Sequence, residues 1–205
     1  MNHAVTVKPT LASIKAWLPA QVVRKFAQVT HSKDDAEFDS HVVSALSRCE
    51  EFGRISILPK TVVAEFRVPR IRGDLIWLTD EMDDPDKIAK SIALPIHPVI
   101  SLSEVVFLSE TRQPQTPLSG DTYEMDVSKR FLLWKTTPPW ATEFPTLRVT
   151  YTAGLTDETD IELVKGAVKE VAATIYDNKG KTDVAMPTNA GSVLRKFWRS
   201  HTYRP

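Results

Sequence analysis

Asp39, Ser40 and His41 are the three side-chain types of a hydrolytic triad, and they stand side by side in the chain. In such a triad the hydroxyl attacks, the imidazole takes its proton and the carboxylate orients the ring, so the three must converge in space. Neighbouring residues on a helix point about 100° apart, and these three fall inside a helical pattern. A solvated helix face is the plain reading. Gly180-Lys181-Thr182 resembles the end of a phosphate-binding loop. That loop requires an earlier glycine at position 175, which is Ile, and a strand before it, where a helical pattern stands instead. No nucleotide site is expected.

Metal chemistry fares no better. The five histidines, His3, His31, His41, His97 and His201, are scattered and form no HExxH or His-x-His pair. His97 lies between Pro95 and Pro98, where a rigid turn accounts for it. The acidic run Asp80, Glu81, Asp83, Asp84 and Asp86 could attract a hard cation, but it lacks the glycine and the distal glutamate of a calcium loop. It reads as a solvated loop. Cys49 is the sole cysteine, which excludes an internal disulfide or thiolate cluster and fits a reducing compartment. On an apolar stripe its default is a buried, inert thiol. No catalytic, cofactor-binding or metal-binding residues are expected, and the chain reads as non-enzymatic.

Lys plus Arg is 26 and Asp plus Glu is 26, so the formal charge is zero, where a whole-body nucleic-acid binder would be basic. An apolar fraction of 42% and a charged fraction of 25% are those of an ordinary globular protein. Residues 1–9 lack the apolar core of a signal peptide, and no apolar stretch approaches the ~20 residues of a membrane span. A soluble protein made in the cytoplasm is expected.

The elements alternate in period. Thr10 is a plausible N-cap for a first helix whose face is Leu11, Ile14 and Leu18, stopped by Pro19. After a mixed connector over 21–31, Asp34 and Glu37 form a capping-box pattern before a stronger helix. Its stripe is Phe38, Val42, Ala45, Leu46, Cys49 and Phe52, with Gly53 as the left-handed stop. The period then shortens: 55–68, 76–78, 92–94 and 102–108 are rich in β-branched residues, and Tyr123, Met125, Val127 and Leu147, Val149, Tyr151 alternate with polar ones. Most of the 14 prolines fall here, which predicts short antiparallel strands and stiff loops. Near Thr156 the helical period returns. Thr159 and Glu162 form a second capping-box pattern before the stripe Ile161, Val164, Val168, Val171, Ala172 and Ile175, ended by Asn178 and Gly180. A last helix is expected over 192–199. The fold class is α+β, a single domain: a helical bundle (10–53 and 156–178) whose long helices bury their stripes on each other, a β insertion (54–154), and a basic C-terminal segment (179–205).

That segment stands out. Lys179, Lys181, Arg195, Lys196, Arg199 and Arg204 face the single acid Asp183, with Phe197, Trp198 and Tyr203 interleaved. Arg, Trp and Tyr are the residues that most often anchor interfaces. Two readings stay open: a helix that tucks Val193, Leu194 and Phe197 onto its own bundle, or one that docks on an acidic partner or nucleic acid.

Several signatures then add up. Leu11-Ala12-Ser13-Ile14-Lys15-Ala16-Trp17-Leu18 opens the chain, and Asp34-Asp35 precedes the Phe38 to Cys49 stripe. Leu94-Pro95-Ile96-His97-Pro98-Val99-Ile100-Ser101 is followed by Val105 and Val106. Tyr123, Trp134 and Trp140 supply β-region aromatics. Most specific is Leu147-Arg148-Val149-Thr150-Tyr151-Thr152-Ala153-Gly154, a strand and turn running into the long helix that ends at Tyr176-Asp177-Asn178. In this order the chain resembles the head–tail connector (head-completion adaptor) family of tailed bacteriophages and gene transfer particles over nearly its whole length. It departs at 75–90, longer and more acidic than the family pattern, and at 21–30.

The resemblance implies a structural virion protein, assembled in the host cytoplasm, that forms a cyclic ring of twelve copies under the portal. Such a ring extends the DNA channel and offers a platform to the next neck or tail protein. It implies portal docking through Arg195, Lys196, Phe197, Trp198, Arg199, Tyr203 and Arg204, no cofactor and no membrane partner. Packaged DNA would pass without specific binding, and balanced charge agrees, because tight phosphate contacts would hinder its passage. The alternatives are another neck ring, such as a stopper or tail terminator, or a DNA-binding accessory protein that uses the basic tail.

Overall fold

A computed structural model describes residues 2–30, 34–67, 91–127, 129–135, 146–179 and 184–200, with the backbone alone at 2, 3, 67, 91 and 198–200. The fold is α+β. It divides into two compact units: Lys8–Lys60 with Gly154–Pro205, which is helical, and Met1–Val7 with Thr61–Ala153, which is β.

The helical unit holds α1 (Leu11–Trp17), α2 (Ala20–Phe26), α3 (Asp35–Gly53), α4 (Glu158–Asp177) and α5 (Thr188–Ser200). The two long helices bury most of the stripes their sequences announce, Phe52 excepted, which is 37% exposed because it lies at the end of α3. Phe38, Val42, Ala45, Leu46 and Cys49 of α3 meet Val164, Val168, Val171 and Ala172 of α4 in one core. Each large apolar side chain so buried contributes roughly 1.5–3 kcal/mol. α2 brings Val23 and α5 brings Ala190, Leu194 and Phe197 to the same core, both packing on α3 and α4. Thr10 caps α1 as expected, its hydroxyl oxygen accepting from the Ser13 N–H at 3.1 Å.

In the β unit, β1 (Asn2–Val7), β2 (Lys60–Arg67), β7 (Thr146–Ala153) and β4 (Val99–Leu108) form a four-stranded sheet in the order β1-β2-β7-β4. A smaller sheet runs β3 (Ser91–Ala93), β6 (Phe131–Trp134), β5 (Tyr123–Met125). The pairings described strand by strand are antiparallel. β7 alternates strictly: Leu147, Val149, Tyr151 and Ala153 are buried and their neighbours half-buried, which is the period-2 pattern of a strand with one face on a core.

The structure corrects several local expectations. The connector over 21–31 contains α2, and the first residues form β1. Both elements are too short for periodicity to announce. Leu11 is 53% exposed, so the buried face of α1 is Ile14, with Leu18 just beyond it. Asp34 gives α3 no side-chain cap bond, because its carboxylate is engaged by α4 instead. The left-handed residue ending α3 is Arg54 (φ 52°) and not Gly53, which is the last helical residue. Gly53 is small for packing: a Cβ there would lie 3.3 Å from Ile55 Cγ1. Ile55, Ile57 and Leu58, read as β, belong to the helical core. α4 starts earlier than Thr159: Asp157 is its N-cap, its carboxylate accepting from the Asp160 N–H at 3.0 Å. β6 was not expected, and α5 begins at Thr188, four residues ahead of the predicted 192. The segment 76–78, the acidic run at 80–86, Trp140, Gly180-Lys181-Thr182, Tyr203 and Arg204 lie outside the described residues.

Candidate assembly surface

Asp39, Ser40 and His41 point three ways on α3. Asp39 pairs with Lys15 of α1 at 2.5 Å. Ser40 is exposed, and its carbonyl accepts from the Ser44 hydroxyl. His41 sits edge-on to the Tyr176 ring of α4, with Nε2 3.5 Å from Glu37 Oε1. They do not converge on any reacting atom. Cys49 is fully buried, and that burial pushes its thiol up to about 12, so at neutral pH it carries no thiolate. Among the described residues no His, Cys, Asp and Glu side chains cluster with the geometry of a metal site.

Tyr151 shows what the strand signature does. Its ring is buried in the β core, and its hydroxyl oxygen accepts the backbone N–H of Ile96 at 3.2 Å. Desolvation raises the phenol to about 12, which keeps it protonated. The strand thereby grips the 94–98 turn, where the His97–Pro98 peptide is cis. Tyr123 and Trp134, noted as aromatics of the β region, meet edge to face at 6.4 Å across β5 and β6.

The basic C-terminal helix divides its residues between two environments. Leu194 and Phe197 enter the helical core, so Phe197 serves the chain's own bundle. Arg195 and Lys196 are exposed. The Arg195 guanidinium lies over the ring of Phe52, 5.8 Å from its centroid, and Phe52 is itself 37% exposed. Beside them a shallow groove of about 270 Å³ is lined by Arg48, Glu51, Phe52, Val171 and the 184–186 segment. The result is an outward surface on which Arg195 and Lys196 of α5 adjoin the half-exposed Phe52 ring of α3. The side chains of Trp198 and Arg199 lie outside the described residues, as do Tyr203 and Arg204.

Sequence reasoning missed the clasp between the start of α3 and the end of α4. The Tyr176 hydroxyl donates to Asp34 Oδ2 at 2.7 Å and its ring stacks on Phe38 at 4.3 Å. Lys179 reaches Glu37 at 2.6 Å and lies 4.0 Å from the Tyr176 ring centroid. The hydrogen bond to Asp34 raises the Tyr176 phenol, and the bond to Glu37 raises the Lys179 ammonium. Partners 142 residues apart leave no local signal. In the β unit, Glu65 is held by both Arg148 (2.9 Å) and Arg112 (2.8 Å), again from distant sequence.

No protein-family model and no curated protein matches the sequence. Solved structures do match the fold. A chain in the neck of an empty gene transfer agent particle, computed with C6 symmetry, superposes with a TM-score of 0.69 at 15% identity, over 96% of this chain and 95% of that one. The chain has the fold of a gene transfer agent neck component. Chains in a native gene transfer agent virion (TM-score 0.68, 15% identity, 96% and 95% covered) and in its native neck computed with C12 symmetry (0.65, 15%, 95% and 94%) match likewise. The correspondence takes in both the helical and the β unit, since nearly all of each chain is covered.

Proposed function

We propose that this protein is a structural adaptor in the neck of a phage-like particle. Copies of it form a closed ring beneath the portal, extend the DNA channel and carry the next neck or tail protein. The observation that supports this most is the end-to-end correspondence of fold with neck chains of gene transfer agent particles. The dispersal of Asp39, Ser40 and His41 and the inert Cys49 agree with a role in building and not in catalysis. A ring of this kind has cyclic symmetry and heterologous contacts that close on themselves.

The C-terminal segment is the portal-docking element in this reading. Since Phe197 is committed to the chain's own core, docking falls to Trp198, Arg199, Tyr203 and Arg204, with Arg195 and Lys196 exposed alongside. Removing everything from Ser192 onward would strip Leu194 and Phe197 from the core and confuse docking with folding. The sharper variant removes 201–205 and carries Trp198→Ala and Arg199→Ala. It should keep the native circular dichroism and melting point while losing co-sedimentation with the purified portal. Undiminished portal binding by that variant would reject the docking assignment.

A further inference from the structure

Gly166 lies in the middle of α4, where glycine weakens a helix relative to any ordinary residue. Nothing in its surroundings accounts for it: a Cβ built there meets no heavy atom within 4 Å among the described residues. Counting by helical spacing, it shares a face with Leu163, Glu170, Ala173 and Asp177, turned away from the buried Val164, Val168, Val171 and Ala172; Ala173 is the buried member of that face. Leu163 is 43% exposed. An apolar knob thus stands one turn from a position with no side chain, a relief that admits a second helix at short range.

The charges say which helix. α4 carries Glu158, Asp160, Glu162, Glu170 and Asp177 against only Lys165 and Lys169, and the Glu162 side chain is 70% exposed. α5 carries Arg195, Lys196 and Arg199 and no acid at all, with Arg195 and Lys196 exposed. α4 thus has an excess of acids and α5 only cations, although Lys165 bridges Glu162 at 2.8 Å. In a cyclic assembly, unlike patches of successive copies meet. We infer that the Leu163–Gly166–Glu170 face of α4 is the contact for a second copy of this chain, which lays its Arg195 and Lys196 against it. This rests on the neck-ring reading and names the lateral contact within it.

Gly166→Leu separates folding from assembly. The free chain should melt at an unchanged or higher temperature, because leucine favours the helix and its Cβ has open space around it. Yet its incorporation into particles should fall by about tenfold or more, since a bulky group now fills the contact. A second test does not depend on that variant. Particles carrying Gly166→Cys with Lys196→Cys, treated with a bis-maleimide, should give a ladder of chain multiples on a denaturing gel, with Cys49 protected by burial. Normal incorporation of Gly166→Leu, or no ladder from particles that contain the doubly substituted chain, overturns the contact and leaves the ring standing. Absence of the wild-type chain from purified particles overturns the ring and the contact with it.

Discussion

Tyr151 joins strand β7 to the 94–98 turn through one hydroxyl. Tyr151→Phe keeps the ring in the core and removes the acceptor, leaving the Ile96 N–H without it. Unmaking such a bond costs about 1–3 kcal/mol, so the denaturant midpoint should drop with little change in slope. An unchanged midpoint would mean that the bond adds nothing. The clasp at the α3–α4 junction gives a pH signature. The folded pKa of Tyr176 is raised, so its contribution is fully present below the ordinary phenol value of 10.0 and is lost as pH rises through the higher folded value. Lys179, raised from 10.5, acts with the same sign in the same alkaline range. Melting temperature should therefore decline above pH 10, and Tyr176→Phe should flatten part of that decline. Equal slopes for the two proteins would remove the clasp from the account.

At the scale of elements, what could be read in the sequence was what repeats. α3 and α4 each hold a stripe over about three to four turns, and β7 alternates without a break, so tertiary packing had only to agree with them. α2 and β1 span seven and six residues, too short for either period to stand out, and their place is set by Val23 in the helical core and by pairing with β2. Caps misled for another reason: two residues upstream of Thr159 stands Asp157, an equally good cap that wins the helix start. Asp157→Ala should destabilise the helical unit by about 1 kcal/mol, whereas Thr159→Ala should be near neutral. The reverse order would restore the capping box first read from the sequence. Within the proposed docking segment the sequence pattern did not sort the sides of α5, because an outward aromatic and a core aromatic look alike until neighbours are known. Phe197 proved to be core. Leu194→Ala, on the same buried face, should cost about 2–5 kcal/mol in thermal or denaturant unfolding. A loss below 1 kcal/mol, within the range of surface substitutions, would show α5 to be an appendage.

At the scale of the whole molecule, the chain joins a helical unit and a β unit, each with its own core. Its perturbed, converging titratable groups among the described residues are those of the α3–α4 clasp, where they join two helices, and other features lie on outward surfaces: Arg195 over Phe52, and Gly166 beside Leu163. The direct test is cryo-electron microscopy of the necks of particles made with and without this chain. With it, a ring of density accommodating the helical and β units is expected at the head–tail junction, and without it, heads that lose DNA and lack tails. Tailed, DNA-filled particles with the same neck density in both preparations would contradict the account.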